Sequence, residues 1–275
     1  MSRGSKSGIS VLNNELLTEP DQTLTNIPGM TVGVFNACNP SPAINRKIIV
    51  VEGYDFLDDF PSQNRTASTT YKYIIEHEKL DHLRNFDYDY YVVDWKNSKL
   101  DMRFNAYYLL LLIEHLKSEA TNDAEFVIVG ESMGGVIARF TLNYMESEAY
   151  QESNYLPFFI EAADPLNLLH LIQNPSLVTQ WMNFTNSELR YRSHNTRLLI
   201  TIDSPHQGAN IPLAYQYLFR KFQPILSVIP GFSLLATQIP YLSIAYILDQ
   251  KASRQLLKWY VPIYPVPLVS PYFPT

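Results

Sequence analysis

Four short apolar runs stand out along the chain: Ile48-Ile49-Val50-Val51, Tyr90-Tyr91-Val92-Val93, Phe126-Val127-Ile128-Val129 and Leu198-Leu199-Ile200-Thr201-Ile202. Runs of this length with no polar alternation predict strands buried on both faces, as in a parallel sheet. Each ends abruptly, the first at Glu52-Gly53, the second at Asp94-Trp95, the third at Gly130 and the fourth at Asp203. Helical spacing fills the intervals. Ile74 and Ile75 mark an apolar side over 70–80, and Leu109, Leu112, Ile113 and Leu116 do so over 100–119. Val136, Ile137, Phe140, Leu142 and Tyr144 do so over 134–148. Alternating strands and helices require crossover connections, so the pattern predicts an α/β fold, a mostly parallel sheet with helices on both faces. Residues 30–36 alternate weakly and are expected as an edge strand.

The flanks read differently. Residues 1–29 are polar and predict a flexible lead-in to a single domain over 30–275. Residues 150–196 interrupt the rhythm as a helical insertion, and 210–258 form an apolar, cap-like segment. Within it, 222–248 carry no charged residue, but Pro224, Pro230, Gly231 and Pro240 break the run. A spanning helix needs about 20 predominantly apolar residues in one piece, so no transmembrane segment is expected. Short apolar helices over 222–248 fit either a mobile lid over a site or ordinary core against the sheet.

Charge narrows the partners. With 21 Lys and Arg against 27 Asp and Glu, the net charge is −6. No basic cluster offsets it, which argues against nucleic acid or an anionic membrane as the main partner. Cys38 is the only cysteine, excluding an internal disulfide framework and a cysteine zinc site. His77 and His82 lack the i, i+4 spacing of a helical zinc pair, so neither metal nor cofactor is expected. The first residues are basic but lead into no apolar stretch, unlike a signal peptide.

Candidate chemistry concentrates at Gly130-Glu131-Ser132-Met133-Gly134, followed by Gly135; three of the 10 glycines lie here. The string alone is weak evidence. Its position, where a buried strand gives way to a helix, is the context of a nucleophile elbow, in which a sharp turn exposes a serine hydroxyl. The competing reading is a glycine-rich turn whose serine caps the helix. A nucleophilic serine needs amide donors for the developing oxyanion. The Met133 N–H, at the positive end of the helix, and the Tyr54 N–H, in the turn after the first buried strand, are the natural pair.

The serine also needs a base oriented by a carboxylate. Asp203 and His206 both fall just after the strand at 197–202, on the carboxyl side of the sheet where ligands bind in open α/β folds. Asp203 is a reasonable triad acid. His206 either serves as the base or pins its own loop by hydrogen bonding.

Together, Val51-Glu52-Gly53-Tyr54-Asp55, Asn105-Ala106, the stretch from Gly130 through Ser132 and Arg139 to Phe140, and the stretch from Ile202 through Asp203, His206 and Gly208 to Pro212 resemble lipase-like α/β-hydrolases. These are related to the GPI inositol-deacylase type and are common as secreted proteins of Gram-negative bacteria. The resemblance spans about residues 30–260. It implies an esterase or lipase acting on an ester or lipid-like small molecule, with Ser132 as nucleophile and a secreted or periplasmic location. Two departures stand out. Relatives often carry His-Gly where this chain has Glu52-Gly53, and their triad histidine usually follows the last strand, whereas no histidine follows Gln207 here. Residues 209–257 read as helix and loop in place of two final strands, which implies a truncated copy or one piece of a longer protein. The alternative to an esterase is therefore a non-catalytic hydrolase-like binding module or an inactive fragment.

Overall fold

A computed structural model describes residues 9–12, 15–27, 29–38, 46–55, 66–77, 79–119, 124–147, 193–210 and 251–257. The insertion at 150–196, apart from its last residues, and the apolar stretch 222–248 lie outside the described residues. The chain divides into two compact units, 1–206 and 207–275.

In the first unit, β1 (Ile9–Leu12) and β2 (Glu15–Thr18) form an antiparallel pair. A second sheet holds β3 (Gln22–Leu24), β4 (Met30–Phe35), β5 (Arg46–Val51), β6 (Tyr88–Trp95), β7 (Glu125–Glu131) and β8 (Thr196–Ile202) in the order β3-β4-β6-β5-β7-β8. The contacts β6-β5, β5-β7 and β7-β8 are parallel, and β3-β4 and β4-β6 are antiparallel. The mostly parallel α/β sheet expected from the sequence is thus present.

Three helices follow the parallel strands: α1 (Ala67–Tyr71), which runs on as a π-helical stretch Lys72–Glu76, α2 (Met102–Glu119) and α3 (Met133–Met145). The β5-to-β6 step crosses the sheet in one direction, and the β6-to-β7 and β7-to-β8 steps cross in the other. Right-handed crossovers then put α1 on one face and α2 with α3 on the opposite face. Packing agrees. Ile48, Val50, Tyr90, Val92 and Val129 meet Phe35, Tyr71, Ile74 and Ile75 in a single cluster. Phe35 and Tyr71 stack with ring centroids 3.9 Å apart. On the other helix pair, the Thr141 hydroxyl donates to the Ala106 carbonyl at 3.1 Å, tying α3 to α2.

Three features depart from the sequence pattern. Residues 9–24, expected as a lead-in, contain β1, β2 and β3. Because β3 covers one side of β4, pairing Gln22 with Val34 and Leu24 with Val32, the strand expected at an edge lies inside the sheet. A three-residue strand is too short to show a period-2 signature of its own; its pairing partner defines it. The third departure is β8, expected as buried. Leu198, Ile200 and Ile202 are 51%, 41% and 37% exposed. Among the described residues β8 is the edge of the sheet, so its apolar run records strand propensity without burial.

In the second unit, the helix Lys251–Leu256 is followed by Leu257, which forms a parallel bridge with Ala209. No helix among the described residues is long and apolar enough to cross a membrane.

Burial of tyrosines gives the fold a pH signature. Burial pushes Tyr71 and Tyr144 up to about 12, with the Arg84 guanidinium offsetting part of the effect at Tyr71. It pushes Tyr90 and Tyr108 further in the same direction. A folded-state pKa above the unfolded value of about 10 contributes stability that is complete below pH ~10 and is lost as pH rises toward ~12 and beyond. Thermal melts across this range are expected to show a falling midpoint, with the share of tyrosinate absorbance that belongs to these four buried residues appearing together with unfolding and not before it. Full tyrosinate absorbance from a still-folded protein near pH 10 contradicts this.

Candidate active site

The end of β7 turns into α3 within a single residue. Ser132 occupies that turn with φ 49° and ψ −119°, a backbone conformation that L-residues rarely adopt. Holding a non-glycine residue there costs on the order of 1–3 kcal/mol and persists only where the surroundings over-determine it. They do so here. The Ser132 N–H donates to the Ile202 carbonyl of β8 at 2.8 Å. A Cβ on Gly130 would lie 2.4 Å from the Gly135 Cα, and one on Gly134 would lie 2.3 Å from the Val51 carbonyl oxygen and 2.5 Å from that of Glu52. A Cβ on Gly135 would lie 2.1 Å from the Ser204 Oγ. Each glycine of the pentapeptide region therefore has a steric reason, and the first turn of α3 is pressed directly against the end of β5.

Ser132 is the N-cap of α3 by position, but its side chain makes no capping hydrogen bond. That disposes of the capping reading of the motif. The residue is half-buried, its hydroxyl uncommitted to the helix, while Met133 behind it is fully buried.

The turn after β5 lies alongside. A Cβ on Gly53 would sit 3.1 Å from the Ser132 Cβ and 3.2 Å from the Glu131 carbonyl oxygen. Tyr54, next in the chain, is buried. Glu52, 1% exposed, has no counterpart in the sequence argument as a structural group. Its Oε1 accepts the Trp95 N–H at 2.5 Å, its Oε2 accepts the Thr70 hydroxyl at 3.3 Å, and its carbonyl accepts the Trp95 indole N–H at 3.2 Å. Ser98 closes the other side of the turn, accepting the Asp55 N–H at 3.0 Å and facing the Asp55 carbonyl at 3.2 Å. These partners are 18 to 43 residues away in sequence, so no local signal exposes them.

Asp203 follows β8 directly and also adopts a left-handed backbone, φ 47°. It lies between two residues that touch the elbow. The Ile202 carbonyl takes the Ser132 N–H, and the Ser204 Oγ approaches the Gly130 carbonyl at 3.4 Å. The loop then tightens, with the His206 N–H donating to the Ser204 carbonyl at 2.9 Å. Asp203 and His206 are both exposed. The structure brings their loop against the elbow, but no hydrogen bond joins the Ser132 hydroxyl, the His206 ring and the Asp203 carboxylate.

Of the other histidines after Ser132, His170 lies outside the described residues. His194 precedes β8, at the opposite end of the strands from Ser132. Its Nδ1 accepts the Thr196 N–H at 3.0 Å, so Nε2 carries the proton it donates to Glu146 at 2.8 Å. Seven-residue strands span roughly 20 Å, which separates His194 from the elbow. Among the described residues, no group of three or more His, Cys, Asp or Glu side chains is arranged to hold a metal ion.

No protein-family model and no curated protein matches the sequence. Among solved structures, the chain is similar to an inhibited esterase B from Lactobacillus rhamnosis at 12% identity and a TM-score of 0.39, covering 83% of this chain and 55% of that one. It is similar to the Bacillus licheniformis lipase BlEst2 in its propeptide form at 15% identity and a TM-score of 0.38, covering 82% of this chain and 33% of that one. A third likeness is to Thermogutta terrifontis esterase 2 phosphoramylated by tabun, at 13% identity and a TM-score of 0.31, covering 51% of this chain and 47% of that one. The chain thus spans between a third and somewhat over half of the length of each of these proteins.

Proposed function

We propose that this chain is a serine hydrolase of the esterase or lipase-like kind, cleaving carboxylic esters through an acyl-enzyme on Ser132. The supporting observation is the strained, non-capping Ser132 at the strand-to-helix turn, with the Gly53 backbone beside it. In this reading the Ser132 Oγ attacks the ester carbonyl. The N–H groups of Met133 and Tyr54 hold the oxyanion, and His206, oriented by Asp203, takes the serine proton and returns it to the leaving alcohol. Water then attacks the acyl carbon, with the same histidine as base. The lipase-like resemblance, including its GPI inositol-deacylase relatives, favours an ester or lipid-like substrate and a secreted or periplasmic setting.

A series of 4-nitrophenyl esters tests the reaction class. Turnover is expected, with hydroxylamine trapping the acyl group; a folded sample that hydrolyses none of the series overturns the reading.

The second reading, a hydrolase-like binding module, is favoured by one observation: neither the His206 ring nor the Asp203 carboxylate is bonded to the Ser132 hydroxyl. His206→Ala separates the two roles of that residue. As general base its removal lowers kcat by about 10³-fold or more with folding intact. As a loop pin it lowers the melting temperature and leaves kcat per folded molecule almost unchanged.

A further inference from the structure

The parallel ladder between β5 and β6 ends at Val51 and Val93. Beyond that point the backbone of the two strands is no longer paired by the sheet, yet the next residues on β5 carry the turn that faces Ser132. Glu52 continues the connection with its side chain. Its buried carboxylate takes the Trp95 N–H on one oxygen and the Thr70 hydroxyl on the other, while its main-chain carbonyl takes the Trp95 indole N–H. One residue is thereby anchored to both β6 and α1. From above, the first turn of α3 leaves no room for a Cβ on Gly134 against the Glu52 carbonyl. Three residues on, Ser98 engages both the N–H and the carbonyl of Asp55. Only Gly53 and Tyr54 lie between the two anchors.

We propose that Glu52 is a positioning residue for the oxyanion donor at Tyr54: its doubly bonded carboxylate fixes the Gly53–Tyr54 backbone at the height of the Ser132 Oγ. This rests on the reading of Ser132 as nucleophile and of the Tyr54 N–H as donor. A carboxylate supplies two acceptor oxygens to two donors from different elements, and both bonds are buried, where losing an acceptor costs most. An oxyanion donor acts through placement. It contributes at the transition state and little in the ground state, so a misplaced donor lowers kcat and leaves KM nearly unchanged.

The test compares Glu52→Gln and Glu52→Ala with wild type, using kcat per active site titrated with a fluorophosphonate, so that loss of folded protein is divided out. Gln keeps an acceptor for the Trp95 N–H, and the Thr70 hydroxyl can rotate to accept from its amide; kcat within about 3-fold of wild type is expected. Ala removes both acceptors; kcat is expected to fall about 10²-fold, approaching the loss of a whole oxyanion donor, with KM within a few-fold. Affinity for a trifluoromethyl ketone, which forms the tetrahedral oxyanion on serine, should fall by the same factor as kcat/KM. Should Glu52→Ala fail to fold, Thr70→Val decides, because it removes one donor and keeps the Trp95 bonds. A kcat several-fold below wild type with unchanged KM supports the proposal, and an unchanged kcat overturns it. An active wild type whose Glu52→Ala variant keeps full kcat per titrated site overturns the positioning role alone. A wild type that neither titrates nor turns over removes the hydrolase reading, and this proposal with it.

Discussion

Ser132→Ala is expected to lower ester hydrolysis by at least about 10⁴-fold while leaving a folded protein. The size of the effect follows from the roles assigned around it. Without the Oγ no acyl-enzyme forms, and only donor geometry and substrate binding remain to assist water. Folding is spared because the side chain makes no capping bond, and the bond that locates the residue, to the Ile202 carbonyl, comes from its main-chain N–H. Ser132→Gly carries the argument further. Glycine adopts positive φ without the Cβ penalty, so this variant should be inactive yet more stable than wild type by about 1 kcal/mol. A site whose native residue is less favourable for folding than its replacement is the signature of strain kept for chemistry. If Ser132→Gly is both active and less stable, the strain argument fails.

Gly134→Ala carries the largest expected cost to the fold. Its Cβ would be placed 2.3 Å from the Val51 carbonyl oxygen and 2.5 Å from that of Glu52, and both neighbours are main chain, at the end of a central strand and in the first residue after it. Neither can rotate away, so α3 must move off β5 or the end of β5 must shift. Overpacking against backbone of this kind is expected to cost roughly 3 kcal/mol or more. Activity is lost even in molecules that fold, because the same shift separates Ser132 from the Gly53 turn. Gly53→Ala makes the control. Its Cβ would approach Ser132 and Glu131 at 3.1 and 3.2 Å, a crowding that a few tenths of an ångström relieves. Its cost to stability is expected to be smaller, about 1 kcal/mol, with the main loss in kcat. Chemical denaturation and kcat on both variants check the contrast. Equal stability of Gly134→Ala and wild type contradicts the close approach of α3 to β5.

The parts of the fold legible in sequence are those whose signal is local. Ile48 to Val51, Tyr90 to Val93 and Phe126 to Val129 announce central strands because burial on both faces leaves no polar position in the run. Leu109, Leu112, Ile113 and Leu116 announce α2 by spacing alone. The elbow is legible because a turn this tight crowds Gly130 against Gly135 and packs Gly134 and Gly135 against neighbouring elements, which leaves a local cluster of glycines in the sequence. Long-range pairing is not legible. Gln22–Leu24 becomes a strand only because β4 offers a partner, and this moves β4 from the edge to the interior. Leu198, Ile200 and Ile202 show that a short apolar run records strand propensity before it records burial. Glu52 stands out in sequence only as a departure from a pattern. Its role emerges once Trp95 and Thr70, each on a separate element, converge on its two oxygens. Asp203 and His206 are legible as candidates by position after β8, and their loop does meet the elbow through Ile202 and Ser204, whereas side-chain alignment across a short loop has no sequence signature.

The most direct test is covalent. A fluorophosphonate probe reacts with a serine whose hydroxyl is exposed and activated, and donors for the phosphoryl oxygen speed that reaction further. Incubated with the folded wild-type protein and followed by peptide mass mapping, it is expected to leave a single adduct on Ser132 and none on Ser132→Ala. Absence of any adduct on folded wild type, or equal labelling of the Ser132→Ala variant, contradicts the assignment of Ser132 as the nucleophile.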